Sequence, residues 1–471
     1  VGRDVTSAVG NQSPLSTAGG RFAENSLTRR YLDSPAGSSA GRLAALARDS
    51  DLLRTGYGEN FLDRPVFLEA DQHALLDRDL EALRVLLASL PDRLFGGDAA
   101  AMATACGMAP VQVEAAMRSR TGEPFELGRA DLYHDGERFQ MLEFNIGSAL
   151  GGFENAEINR ALLADPAVAE FVAAEQLDYV DTLRCYVETM LAQCPAIDLS
   201  AKPVMAIVDW PSSFVTLEKR LGYMAALMKP YGIEALPCHI GQLEEKNGHL
   251  YLDGRHLDIV YRFFLIEDLL DGPEAPGLVD RILTAAERGT VQFFSRFLTE
   301  VHGNKGALAM ASDQRNRSLF DDEELRVVDS LLPWTRFVRD EDVSVGDEDV
   351  PLLDYVMAEQ RSLLIKPTLM HGAIGVVPGW EVEPDVWRER TAEALDGPYV
   401  VQRRVRPAIE RAPVAGEPGR FRPVVFNWGV FVTATGYGGA IVRGSAQPDI
   451  GVVSMSHGAE VGCCFHARSR T

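Results

Sequence analysis

The stretch LGRADLYHDGERFQMLEFNIG, residues 127–147, decides how this chain is read. Its halves, LGRADLYHD and RFQMLEFNIG, read as two adjacent strands. On that reading Arg129, Asp131, Glu143 and Asn145 gather at one sheet end: a cation, two carboxylates and an amide. Asp131 and Glu143 offer hard anionic oxygens and Asn145 a neutral one. Such a set suits Mg²⁺, which takes a few carboxylates together with substrate phosphates. Arg129 beside it has the planar fork that clamps a phosphoryl group. The expectation is a protein that handles ATP.

Composition limits the alternatives. A chain of 471 residues is too long for one simple core, so two or three packed subdomains are expected. The net charge of −22 argues against nonspecific nucleic-acid binding, which needs clustered Lys and Arg. It also means that a nucleotide site needs its own local cations. No run of apolar residues is long enough for a membrane span. Residues 1–20 lack the apolar centre of a signal peptide and read as a flexible leader. Cys106, Cys185, Cys194, Cys238, Cys463 and Cys464 show no C-x-x-C spacing, so reduced thiols and a cytoplasmic location are expected. Adjacent Cys463 and Cys464, with only His466 nearby, read as buried residues of a C-terminal strand.

Working outward, residues 71–91 carry leucines at 75, 76, 80, 83, 86, 87 and 90, a helical stripe that Pro91 is expected to end. A second helix is expected after Pro110. Past the hairpin come a glycine-rich turn, 147–152, and helical residues to about Cys194. From Pro203 the pattern changes. PVMAIVDW, IEALPCHI and DIVYRFFLI read as strands around one amphipathic helix, a βαβ unit with a parallel sheet. KNGHLYLDGRH inside it reads as a hairpin with an Asn-Gly turn. The acidic stretch from Arg339 to Asp354 reads as a separator. Beyond it RSLLIKP, GAIGVVPGW, PYVVQRRV, RPVVFNWGVFVT and GAIVRG read as mainly antiparallel strands, interrupted by the helix EPDVWRERTAEAL. The fold class expected is a mixed α/β (α+β) protein with a helical region and leader at 1–120 and further segments at 121–200, 201–300 and 301–471.

Three later features bear on the opening cluster. Lys366 ends the strand LLIKP, and Gly372 and Gly375 follow in a flexible turn whose backbone N–H groups are able to cover phosphates. The strand PYVVQRRV, with Gln402, has an apolar run able to offer its backbone to an adenine edge. Lys305, in the turn Gly303-Asn304-Lys305-Gly306, sits near a helix start, where dipole and ammonium both favour an anion.

The order R-x-D, an E-x-N that starts twelve positions after the Asp, then N-K and K-P-x₄-G-x₂-G resembles the glutathionylspermidine-synthase-like, circularly permuted ATP-grasp ligases, over roughly residues 120 to 471. The metal carboxylates precede the nucleotide lysines, as the permutation requires. The resemblance implies an ATP-grasp fold with an inserted parallel βαβ subdomain. It implies that Arg129 stabilises the transferring phosphoryl group, that Asp131, Glu143 and Asn145 bind Mg²⁺, and that Lys305 and Lys366 hold the phosphates of ATP. Gly372 to Gly375 would be the mobile loop, and the strand at Gln402 would contact adenine. The implied reaction joins a small-molecule carboxylate to an amine, an amino acid or a polyamine, through an acyl phosphate. The hydrolytic amidase domain of some family members is not expected here. Ser148, Ser212, Ser213, Arg262 and Arg443 are the candidate substrate contacts; buried strand arginines in particular need an anionic partner. Partners expected are small molecules, with no nucleic acid and no membrane, and a homodimer is admitted. A non-catalytic nucleotide-binding scaffold and a metal-dependent hydrolase are the rival readings.

Overall fold

In the computed structural model, which describes residues 21–38, 41–120, 127–417 and 419–468, the decisive stretch folds into one hairpin. The leader at residues 1–20 lies outside the described residues. Strands Gly128–His134 and Phe139–Ile146 pair antiparallel, with Arg129 opposite Asn145 and Asp131 opposite Glu143. Neighbouring cross-strand pairs two residues apart share a face, so all four side chains point the same way. A register irregularity follows between Asp131 and Leu132.

This hairpin is one edge of an eight-stranded sheet. From the other edge its order is Val66–Leu68, Glu460–Ala467, Gly436–Ser445, Phe421–Thr433 and then the two hairpin strands. The C-terminal half of the chain therefore returns to lie between two N-terminal pieces. Cys463 and Cys464 are buried in the strand Glu460–Ala467, as expected.

The parallel unit forms as read. Gln292–Phe294, Ile259–Arg262, Val204–Asp209 and Glu234–His239 lie side by side, all parallel. Its crossover helix, Pro211–Met228, starts with proline in the first turn, where a missing N–H costs nothing. The hairpin insert turns at Asn247 and Gly248, with φ of 55° and 79°. Both central residues of such a turn need positive φ, which explains the Asn-Gly pair.

A third sheet has the order Thr335–Phe337, Tyr399–Arg403, Leu363–Pro367, Val377–Pro378, antiparallel throughout. It holds a core of its own, in which Leu363, Ile365 and Val401 pack with Trp387 of the helix Pro384–Leu395.

Three expectations need correction. Pro91 does not end its helix, which runs Ala70–Phe95 and stops at Gly96 in the left-handed conformation. An interior proline costs about 3 kcal/mol. Leu83, Leu86, Leu87 and Leu90 are all buried, each offsetting roughly 1.5–3 kcal/mol of that cost. The acidic stretch from Arg339 is no separator. It forms the hairpin Asp342–Val345 with Glu348–Pro351 and the helix Leu352–Ala358. Val343, Leu352 and Val356 are buried in the third sheet's core while Glu348 and Asp349 stay exposed, so the charges mark a solvent face. GAIGVVPGW is mostly loop, with only Val377–Pro378 in strand.

Candidate functional site

The face of the hairpin that carries Arg129, Asp131, Glu143 and Asn145 looks across a cavity of about 300 Å³ toward the third sheet. Lys366, Gln402 and the loop residues Gly372 and Ala373 line its opposite side. Leu142, Leu364, Val376, Trp380, Val405 and Val453 give the cavity apolar lining beside its charged groups.

Arg129 and Asp131 form a forked pair, Nε to Oδ1 at 2.9 Å and Nη2 to Oδ2 at 3.2 Å. Arg129 also donates from Nη1 to the Gly151 carbonyl at 2.8 Å, which fixes its plane. Arg443, from the strand Gly436–Ser445, approaches Asp131 Oδ2 at 2.9 Å and donates to Asn427 Oδ1 at 3.1 Å. Asp131 thus has an arginine on each carboxylate oxygen and keeps further lone pairs.

Glu143 is the focus of the remaining charge. Lys305 Nζ lies 3.4 Å from its Oε2, and Asn145 Nδ2 donates to its Oε1 at 3.2 Å. Burial alone would raise the Glu143 carboxyl. Lys305, Lys366 and His371 outweigh that and hold it well below the usual carboxylate range. Glu143 is therefore an anion at neutral pH.

The lysines reach the site from different elements. Lys305 is the first residue of the helix Lys305–Ser312, whose cap Asn304 accepts from the Gly306 N–H at 2.7 Å. Its ammonium donates to the Met370 carbonyl at 2.8 Å, tying it to the start of the glycine loop. Lys366 comes from the strand Leu363–Pro367 and donates to the Leu142 carbonyl at 2.6 Å and to Gln402 Oε1 at 2.9 Å. Burial, with Lys305 close by, pushes the Lys366 amine down to about 7 against the pull of Glu143. Gln402 is held in turn by donating to Thr335 Oγ1 at 3.0 Å. Its side chain thereby holds Lys366 in place.

Gly372 and Gly375 have φ of 64° and 73°, so the loop uses the backbone freedom that glycine supplies. Gly372 lines the cavity. Gly375 instead packs on Pro367, where an added Cβ would lie 3.2 Å from the proline ring.

Of the candidate substrate contacts, only Arg443 is in the cavity wall. Arg262 is fully buried and saturated. It pairs with Glu300 Oε1 at 2.7 Å, donates to the carbonyls of Phe264 and Ser295, and lies 4.7 Å from the Phe297 ring centroid. Its anionic partner is internal. Ser148 is buried too, donating to the Arg262 carbonyl at 2.6 Å and accepting from the Ser295 N–H at 3.0 Å. Ser212 and Ser213 start the helix Pro211–Met228 outside the cavity wall, where Ser213 donates to the Trp210 carbonyl. These four side chains hold the parallel unit together or face away from the cavity.

The sequence reading missed His371, Glu267 and Glu300, which meet beside Asn145. His371 immediately precedes Gly372, but nothing in the spacing ties it to two glutamates from the parallel unit.

The fold that carries this site has a counterpart among solved structures. The chain is similar to a solved glutathione synthetase-like effector of Globodera pallida in its apo form, at 12% identity, a TM-score of 0.55, and coverage of 90% of this chain and 96% of the other. It also aligns with a candidate γ-glutamylcysteine synthetase of Methylobacillus flagellatus KT, at 12% identity over 83% and 88% of the two chains, with a TM-score of 0.41, below the level that establishes a shared fold. No protein-family model and no curated protein matches the sequence.

Proposed function

We propose that this chain is an ATP- and Mg²⁺-dependent carboxylate–amine ligase of the circularly permuted ATP-grasp type, forming an amide through an acyl phosphate. The observation that carries this reading is the placement of Glu143, Lys366, Arg129 and Asp131 on one cavity, with Lys305 Nζ 3.4 Å from Glu143 Oε2. It has the charge layout that phosphoryl transfer needs, where positioning and electrostatics do most of the work. Carboxylates ahead of lysines in the chain match the permuted order. The similarity to a glutathione synthetase-like protein supports the same class.

Mg²⁺ fits the residues present. Glu143 is ionised and faces the cavity with Asn145 beside it, and Asp131 retains lone pairs beyond its two arginines. Glu143, Asn145 and Asp131 would hold the ion, which supplies charge neutralisation on the phosphates. Lys305 and Lys366 bind the phosphates, and the apolar lining of the cavity, with Trp380, takes the adenine ring. A carboxylate oxygen of the first substrate bonds to the γ-phosphorus as the bond to ADP breaks, and Arg129 neutralises the transferring group. The amine then attacks the acyl carbon, phosphate leaves, and the ammonium proton passes to solvent or base. The glycine loop excludes water, which would otherwise hydrolyse the acyl phosphate. Arg443 is the best placed group for an anionic substrate, since its buried Nε has no hydrogen-bond partner among the described residues.

The test is a phosphate-release screen of the purified chain over pairs of amino acids, small peptides and polyamines, with product masses read out. ADP and an amide of the summed mass, less water, are expected for at least one pair. The forked Arg129–Asp131 pair favours a second reading, a nucleotide-binding protein without turnover. ATP binding with no ADP from any pair would select it.

A further inference from the structure

Where the glycine loop meets the parallel unit, three side chains converge that amide formation leaves without a task. Glu267 lies in the turn Ile266–Leu270, Glu300 in the short helix Thr299–His302, and His371 just ahead of Gly372. One donor atom from each lies within 4.8 Å of the other two. His371 Nε2 stands 3.4 Å from Glu267 Oε1 and 3.5 Å from Glu300 Oε2.

The tautomer of His371 follows from its neighbour. Asn145 uses its Nδ2 to donate to Glu143, so its Oδ1 is the atom that meets His371 Nδ1 at 3.3 Å. Nδ1 therefore carries hydrogen, and Nε2 is the atom turned toward the two carboxylates, where it holds either a proton or a metal ion. His371 Nε2 and Glu267 Oε2 are buried atoms with no hydrogen-bond partner among the described residues. The three groups need positive charge between them, supplied by a proton or by a metal ion that displaces it.

The separations say which cation. A charged imidazole–carboxylate hydrogen bond closes to about 2.7–2.9 Å. Two ligands each about 2.0–2.1 Å from a tetrahedral zinc ion stand about 3.4 Å apart, close to the spacing of His371 Nε2 from each carboxylate, and the two carboxylates lie within 4.8 Å of each other. One imidazole and two carboxylates suit a borderline divalent ion better than Mg²⁺ or Ca²⁺, which prefer all-oxygen sets. The supports that metal ligands require are also in place: Asn145 behind the far nitrogen of His371, and Arg262 holding Glu300 Oε1 so that Oε2 faces inward.

We propose that Glu267, Glu300 and His371 form a site for one borderline divalent transition ion, with Zn²⁺ as the type. The ion clasps the glycine loop to the parallel unit. Two ligands belong to that unit and the third precedes Gly372 and Ala373, which line the cavity, so occupancy restrains the cavity's cover. This site stands apart from the Glu143 set in donor chemistry and in ligands.

The experiment uses the whole chain, stripped by chelator and kept in excess Mg²⁺, and titrated with Co²⁺ as a spectroscopic stand-in for Zn²⁺. One equivalent is expected to bind, with the visible bands of a low-coordinate site, and to be displaced by Zn²⁺. Glu267→Gln and His371→Gln should each weaken it by roughly tenfold or more, while Glu143→Gln keeps it. Circular dichroism checks that each variant folds, and either one suffices. Absence of saturable binding in the wild type, or equal binding in wild type and folded variants, overturns the site. Loss in Glu143→Gln alone overturns it too, by placing the ion in the other set. Hydrogen exchange over residues 371–376 should slow on adding Zn²⁺; unchanged exchange overturns the clasp. None of these readouts needs ATP turnover, so they stand apart from the ligase reading.

Discussion

Glu143, Lys366 and Arg262 show how differently three buried charges behave. Glu143 stays ionised because two lysines and His371 surround it. Glu143→Gln keeps the shape but removes the charge, so ADP formation should fall at least a hundredfold, with far-UV dichroism unchanged; retained turnover would remove Glu143 from the metal set. Lys366 is the reverse case, a cation that burial has pushed down to about 7. At pH 8 the free protein holds it largely neutral, and phosphates entering the cavity favour its charged form. Binding of ATP should therefore take up close to one proton at pH 8 and almost none at pH 6. Calorimetry in two buffers of different ionisation enthalpy measures this, and equal uptake at both pH values would refute it. Arg262 has no exposed surface and is bound to Glu300. Arg262→Met leaves that carboxylate buried beside Glu267 and His371 without its cation. The expected loss is about 3–5 kcal/mol of stability, read by urea unfolding, a structural effect and not a change in substrate affinity alone.

At the scale of elements, the site depends on how one short helix begins. Lys305 is fixed because Asn304 caps the helix and because its backbone N–H bonds the Thr368 carbonyl at 3.0 Å. Helix start and strand end thereby bring Lys305 to within 3.4 Å of Glu143 and Lys366 into the wall of the cavity that Glu143 lines. Asn304→Ala removes the acceptor for Gly306 N–H and should cost about 1 kcal/mol. It should also raise the KM for ATP by several fold, since the lysine loses its frame. A change in stability with an unaltered KM would mean that the cap does not position Lys305. The hairpin Asp342–Val345 with Glu348–Pro351 makes a complementary point. Its charge run looked like a linker, yet alternate residues reach the core of the third sheet.

For the whole molecule, the central sheet is the joint between distant segments. Strand Val66–Leu68 pairs with the C-terminal strand Glu460–Ala467, and His73 of the long helix stacks on His466 with ring centroids 4.2 Å apart. Burial, and then His73, push the His466 imidazole down to about 4. An unfolded histidine titrates near 6.5. Below that pH the unfolded chain binds the extra proton, so this contribution is complete above about pH 6.5 and is lost as pH falls toward 4. Burial holds Glu267 up at about 7 and Asp268 at about 6, and these act in the opposite sense. The total pH dependence is thus a sum of opposing titrations, and a difference isolates one of them. His466→Phe keeps a ring on His73 and removes the proton site. Relative to the wild type it should gain up to about 2 kcal/mol on going from pH 7 to pH 5, measured by urea unfolding at both. A constant difference would show that His466 does not titrate between the two states.

The sequence by itself determined the hairpin at residues 127–147, its four charged and polar side chains, and the parallel unit. Strand alternation, the Asn-Gly turn and strand–helix alternation are local patterns, and local patterns survive without knowledge of the rest of the fold. Lys305, Lys366 and the glycine loop were legible as candidates, on turn and strand-end chemistry. Only the tertiary structure decided that Lys305 approaches Glu143, that Lys366 and Gly372 line one cavity with it, that Arg443 faces that cavity while Ser212 and Ser213 do not, and that Arg262 spends its charge on Glu300. It also brought Glu267, Glu300 and His371 together from three segments. The reason is that a buried charge is defined by its partner. Those partners can lie hundreds of residues away, 224 in the case of Lys366 and the Leu142 carbonyl, and no sequence window spans that separation.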